Sequence, residues 1–256
     1  MSKNNLSEPN EKKFFGTEII IVLALSLGAS AIYSIIYWLN AVTSKSGIAA
    51  VKRSLNSSNF ATEWLDFLSQ LVGNLLEVAP ALLVVYLLAG HLGRGSLASV
   101  GWQKPTRTRD IAASLGIAVA IGVPGIALYF AARAIGAAAQ IVPSTMAAHW
   151  WVVPMLLLSA LRSGILEEFI MIGYLFKRLE AIGWSNGRQI WFSAIIRGLY
   201  HLYQGYAGFF GNIAMGLVFG WLYKKYGRLQ RLVIAHFILD AATYVGYSVI
   251  VWSNIH

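Results

Sequence analysis

The chain has 256 residues, 57% of them hydrophobic and only 12% charged, with no cysteine and a formal net charge of +9. Soluble domains carry about a quarter charged residues, so an ordinary water-soluble domain is excluded, and so are disulfides and thiolate metal sites. The positive charge does not point to nucleic acid, because the basic residues sit in short segments between apolar runs, as membrane topology signals do.

Residues Met1 to Phe15 are polar, and the first apolar run is long enough to span a bilayer rather than serve as a cleaved signal. A span needs about 20 apolar residues, and hydropathy predicts seven, near 17–39, 66–90, 110–133, 150–176, 189–205, 208–224 and 230–252. All are expected to be helical, since an isolated strand leaves its backbone unsatisfied in lipid. In the second run, Glu77 precedes Pro80 and is expected to pair locally with Asn74 or with helix backbone. Arg94 to Asp110 reads as an inner connector broken at Pro105. In the fourth run, Arg162 has two readings, a snorkelling or carbonyl-bonded cation and a functional one. The fifth and sixth runs are short and joined by Gln204-Gly205-Tyr206-Ala207-Gly208, either a tight turn or a re-entrant segment. On the sixth, Asn212, Gly216 and Gly220 recur every four residues and read as a close-packing seam.

With the N-terminus inside, fourteen basic residues fall on inner segments (among them Lys3, Lys12, Lys13, Arg94, Lys177 and Arg178) and only Lys45, Lys52 and Arg53 on outer ones. That asymmetry obeys the positive-inside rule. Arg133, Arg162 and Arg197 lie at or within spans. The fold class is therefore all-α, a polytopic multi-pass bundle of about seven transmembrane helices with its N-terminus inside, residing in the plasma membrane.

Glu167 and Glu168 stand side by side inside the fourth run. Each ionisable group at bilayer depth costs roughly 2.5–3.5 kcal/mol on insertion scales, and adjacent like charges repel. Neighbours on a helix point about 100° apart while residues four apart share a face. By that geometry Glu167 and Glu168 cannot aim at one point. Arg197 and His201 share a face of the fifth run, and His236 and Asp240 share a face of the seventh. Three polar patches on three helices are most economically buried around one cavity. The basic residues Lys177, Arg178 and Lys224 to Arg231 suggest that it opens on the inner face.

Glu167-Glu168 followed by Gly173-Tyr174-Leu175, then Tyr200-His201-Leu202-Tyr203-Gln204-Gly205, then His236-Phe237-Ile238-Leu239-Asp240, resemble the three motifs of the CPBP family of CAAX-protease and bacteriocin-processing intramembrane endopeptidases. The resemblance spans roughly residues 150–245 and implies a catalytic helical core at 141–256, preceded by membrane helices and a connector at 1–140. The family's first motif usually ends in Arg where this chain has Ile172, and its second usually begins with Phe where this chain has Arg197. An Arg at 172 would pair with Glu168 one turn away, so Arg197 is expected to reach across and neutralise Glu168 instead.

The resemblance implies a peptide hydrolase acting on a membrane protein or peptide in the bilayer, with no cofactor, no metal and no nucleic acid. In it Glu167 and His201 activate a water, His236 and Asp240 form the oxyanion site, and Glu168 and Arg197 support them. Asp240 stands where the Ras-converting relative has Asn, and its i,i+4 spacing to His236 suggests that it orients that imidazole. Three rival readings use the same residues: a zinc-dependent membrane protease, a proton or solute pathway, and a scaffold or immunity protein without catalysis.

Overall fold

The computed structural model describes residues 8–92, 96–104 and 107–253, so Lys3, Arg94 and Pro105 lie outside the described residues. The helices are α1 (Glu8–Ala24), α2 (Leu27–Thr43), α3 (Glu63–Leu76), α4 (Ala79–Leu92), α5 (Ser96–Ser99), α6 (Arg107–Ala134), α7 (Val152–Glu168), α8 (Leu175–Ala181), α9 (Asn186–His201), α10 (Tyr206–Tyr226) and α11 (Leu229–Ser253). Two three-residue strands, β1 (Lys52–Ser54) and β2 (Gln140–Val142), pair in parallel. The fold is thus all-α apart from one short ribbon.

Among the described residues, Glu63–Gly90, Thr108–Ala134 and Tyr206–Tyr226 are long and apolar enough to cross a membrane. The first run read as one span is instead two helices bent by 54° at residues 25–26. Counting that pair as one gives up to four candidate crossings among the described residues, by length and composition. Of the other helices, α7 has 17 residues and α9 has 16, short of a full span. Large apolar side chains such as Leu76, Tyr86, Val123 and Phe130 cover the outside, as expected of a surface solvated by acyl chains.

Two features of the backbone set up the interior. First, α7 does not stop at Glu168 but widens into a π-helical turn, Phe169–Tyr174, before continuing as α8. Such a turn accommodates an extra residue and rotates the faces of the helix beyond it. Ile170, Met171, Ile172, Tyr174 and Leu175 are buried there against Val84, Leu88, Phe219 and Leu229. Ile172, where the family usually has Arg, therefore faces apolar core. Second, small residues bring helices close. A side chain at Gly216 would come within 2.8 Å of Ala194 Cα on α9, and one at Gly220 would meet Ile190 and Phe176 at 3.1 Å. The seam thus packs α10 on α9, while Asn212 donates to Gly208 O of its own helix.

The α9–α10 junction is a tight turn. Leu202–Gln204 form a single 3₁₀ turn, and Gly205 at φ 92° starts α10. Backbone bonds from Ala139 N to Gln204 O and from Tyr206 N to Ala137 O, each 3.0 Å, tie this turn to the segment leading into β2. The other end of the bundle is closed by α1, where Glu18 accepts from Tyr174 Oη at 2.9 Å and Arg178 Nε at 2.8 Å. Arg178, expected as an inner surface charge, is instead buried under Phe15.

Candidate active site

The carboxylate pair sits at the end of α7, where the helix is about to widen. Arg197 projects from α9 and its fork spans both groups: Nη2 donates to Glu168 Oε1 at 2.8 Å and Nη1 to Glu167 Oε2 at 3.3 Å. Glu168 and Arg197 are fully buried, and Glu167 nearly so. The expectation that the two carboxylates could not address one point is corrected here. A planar guanidinium has separate nitrogens with which to meet acceptors on diverging side chains.

His236 enters from α11. A side chain at Gly164 would lie 3.0 Å from Val233 O, which is how α11 comes close enough to α7. His236 Nδ1 donates to Glu168 Oε1 at 2.7 Å. Its other nitrogen, Nε2, lies 3.6 Å from Asp240 Oδ2 and 4.0 Å from Glu167 Oε2. The imidazole is therefore oriented by Glu168, not by Asp240. A 2.7 Å hydrogen bond fixes a ring, whereas a 3.6 Å separation is electrostatic proximity. Asp240 instead accepts from Tyr244 Oη one turn later, at 3.3 Å.

Glu167 is not left free. Tyr200 Oη donates to its Oε2 at 2.6 Å, and His201 Nε2 approaches the same oxygen at 3.8 Å. Gln204 Nε2 lies 3.3 Å from His201 Nδ1, an amide donor that leaves the imidazole proton on Nε2, facing Glu167. Oε2 of Glu167 is thus the point toward which Arg197, Tyr200, His201 and His236 all turn. Tyr200 was missed by reasoning from sequence. Its signal was a phenol in the last turn of α9 beside His201, a group that seeks a partner when buried.

The remaining charges resolve otherwise than hydropathy suggests. Glu77 pairs with Arg162 across α3 and α7 rather than with Asn74, which donates to Gln70 O. Arg133 caps carbonyls of Ala49 and Ala138. A groove of about 450 Å³, lined by Ser34 and Tyr37 of α2, Arg53 of β1, and Tyr203, borders the site at Tyr200. It lies at the β1–β2 end, which carries outer-loop residues. The cavity beside Lys177 and Lys224, about 530 Å³, contains no member of the site. The buried Glu18–Arg178 pair joins α1 to α8. Among the described residues, no group of three His, Asp or Glu side chains could hold a metal ion.

Comparison with known families is consistent with this geometry. Residues 149–242 match the family model described as type II CAAX prenyl endopeptidase Rce1-like. Over that segment the chain is similar to the CPBP family. No curated protein and no solved structure matches the chain. The matched segment begins just before α7 and ends within α11, so it contains every residue of the CPBP motif trio and both departures, Ile172 and Arg197. Groups from outside the match, Ser34, Tyr37 and Arg53, complete the groove.

Proposed function

We propose that this integral membrane protein is an intramembrane endopeptidase of the CAAX type, resident in the cell membrane, that hydrolyses a peptide bond of a membrane-associated protein or peptide. The observation that carries this reading is the convergence of four hydrogen-bonding groups on Oε2 of Glu167, which leaves Oε1 without a hydrogen bond among the described residues.

A carboxylate pinned through one oxygen presents the other in a fixed direction, which suits a general base. Water held at Oε1 loses a proton to Glu167 as its oxygen attacks the scissile carbonyl carbon. The developing oxyanion is met by His236 Nε2. Because Nδ1–H is already committed to Glu168, donation from Nε2 requires the imidazolium, which Glu167 and Asp240 flank. When the C–N bond breaks, His201 Nε2–H protonates the departing nitrogen and is reprotonated by Glu167, 3.8 Å away. Atoms balance without a covalent intermediate. One oxyanion donor contributes about 2.7–4 kcal/mol to such a barrier, and general base catalysis about 10²–10⁴-fold. Glu168 and Arg197 hold His236 and Glu167 in place.

The test is cleavage of a farnesylated CAAX peptide and of an unprenylated peptide by the full chain in nanodiscs. Glu167→Gln is expected to lose about 10²–10⁴-fold in turnover while its thermal unfolding is unchanged. A variant that still cleaves overturns the assignment. A Glu167→Gln protein that keeps its cellular role, from a wild type that cleaves nothing, supports the scaffold reading instead.

A further inference from the structure

The groove at the β1–β2 end has an unusual lining. Each of its eight residues carries a hydroxyl or a guanidinium, and none is acidic. Four come from α2, at Ser30, Tyr33, Ser34 and Tyr37, and one face is closed by Arg53 of β1. The Arg53 guanidinium lies 4.8 Å from the Tyr37 ring centroid. Its Nε is sealed from solvent yet has no hydrogen-bond partner among the described residues, and no carboxylate there forms an ion pair with it. A buried N–H without an acceptor is costly, and an arginine fork matches a planar carboxylate in two parallel bonds.

The position of this group matters as much as its chemistry. β2 is bonded through its lead-in to the turn after His201, and β1 pairs with β2, so Arg53 is held against the site by backbone. The groove's far wall is Tyr200, whose hydroxyl is 2.6 Å from Glu167. An occupant gripped at Arg53 therefore extends along hydroxyl donors to Tyr200, which bonds the carboxylate that we assign as base.

From this we infer that Arg53 is a substrate-binding residue that receives a peptide carboxylate, with Tyr37 and Ser54 beside it, and so selects peptides that carry a negative charge on the side of the bond that lies toward β1. The inference rests on the endopeptidase reading for its direction, but binding can be read without turnover. The carboxylate has two sources, a C-terminus or an acidic side chain.

The experiment uses the full-length Glu167→Gln chain in phosphatidylcholine nanodiscs and fluorescence anisotropy with three probes. They are one apolar hexapeptide as the free acid, the same peptide as the C-terminal amide, and the amide carrying a penultimate Glu. The free acid is expected to bind about tenfold more tightly than the amide, and Arg53→Gln is expected to erase that difference while leaving amide binding unchanged. The unchanged amide arm shows that the variant is folded. Arg53→Lys, which keeps charge but not the fork, is expected to fall between. Tight binding of the Glu-bearing amide identifies the side chain as the source, and its absence identifies the C-terminus. Equal binding of acid and amide by the Arg53 chain overturns the proposal. So does a preference that disappears only when phosphatidylglycerol is added, since Arg53 is then a lipid-phosphate site. Retained cleavage by Glu167→Gln defeats the catalytic reading and leaves the binding result standing.

Discussion

Where α11 begins, Asp110 of α6 receives Arg231 Nε at 2.6 Å, Arg228 Nη1 at 2.9 Å and Gln230 Nε2 at 3.4 Å. Further along the same helix, His236 joins Glu167, Glu168 and Arg197, with Asp240 a turn beyond. The first cluster sets two guanidinium groups against one carboxylate and closes the end of the bundle. The second sets three carboxylates against one guanidinium and two imidazoles, and among the described residues it leaves Glu168 Oε2 and Arg197 Nε buried without hydrogen bonds. Cation excess around one acceptor makes a joint. Carboxylate excess around a single fixed cation makes a place where a proton can move, and buried ionisable groups of that kind mark function.

The contrast breaks most visibly at the two arginines. Arg197→Met strips the guanidinium from two buried carboxylates and is expected to cost about 3–5 kcal/mol, read as loss of folded yield and a lower unfolding midpoint in detergent. Arg231→Gln leaves Arg228 on Asp110 and is expected to cost about 1 kcal/mol with turnover unaltered. Comparable losses for the two would mean that the clusters do not differ. The double swap of Glu168→Arg with Arg197→Glu is not expected to rescue the fold, because residue 168 would then set a cation against His236 Nδ1.

The second prediction separates the two carboxylates around His236. Glu168→Gln leaves an oxygen to accept from Nδ1–H but removes the charge that holds the imidazolium, and is expected to lower kcat by about 10²-fold. Asp240→Asn, at 3.6 Å from Nε2, is expected to stay within about tenfold of the wild type. Steady-state kinetics on one peptide decide it. The reverse order would return the orienting role to Asp240.

The pairs on one helix were legible in the sequence because spacing alone creates them: His236 with Asp240, and Arg197 with His201. Partners across helices were only half legible. That Arg197 must neutralise something could be read from Ile172, but that it spans both carboxylates depends on the height of α9 against α7, which no periodicity encodes. The long apolar helices α6 and α10 were plain. The bend after Ala24 was not, because Leu25 and Ser26 carry no proline or glycine, and Ser26 Oγ bonds back to Val22 O at 2.6 Å. Nor was the π turn at Phe169–Tyr174, since a wider turn keeps the same apolar composition. The β1–β2 ribbon joins two three-residue stretches far apart in the chain, too short to show alternation.

The finest division lies between two tyrosines whose hydroxyls both end on a glutamate. Tyr174 Oη donates to Glu18 at 2.9 Å, where Arg178 already supplies two further bonds. Tyr200 Oη donates to Glu167 at 2.6 Å, on the oxygen that it shares with Arg197. Removing the first hydroxyl takes one of three donors from a structural carboxylate, so Tyr174→Phe is expected to lower stability by about 1 kcal/mol and leave kcat unchanged. Removing the second loosens the carboxylate whose direction sets the attack on the substrate. Tyr200→Phe is therefore expected to lower kcat about fivefold to tenfold with KM nearly constant, and its unfolding midpoint is expected to move no more than that of Tyr174→Phe. A Tyr200→Phe protein with normal kcat and reduced stability would place this hydroxyl with the joints of the bundle rather than with its chemistry.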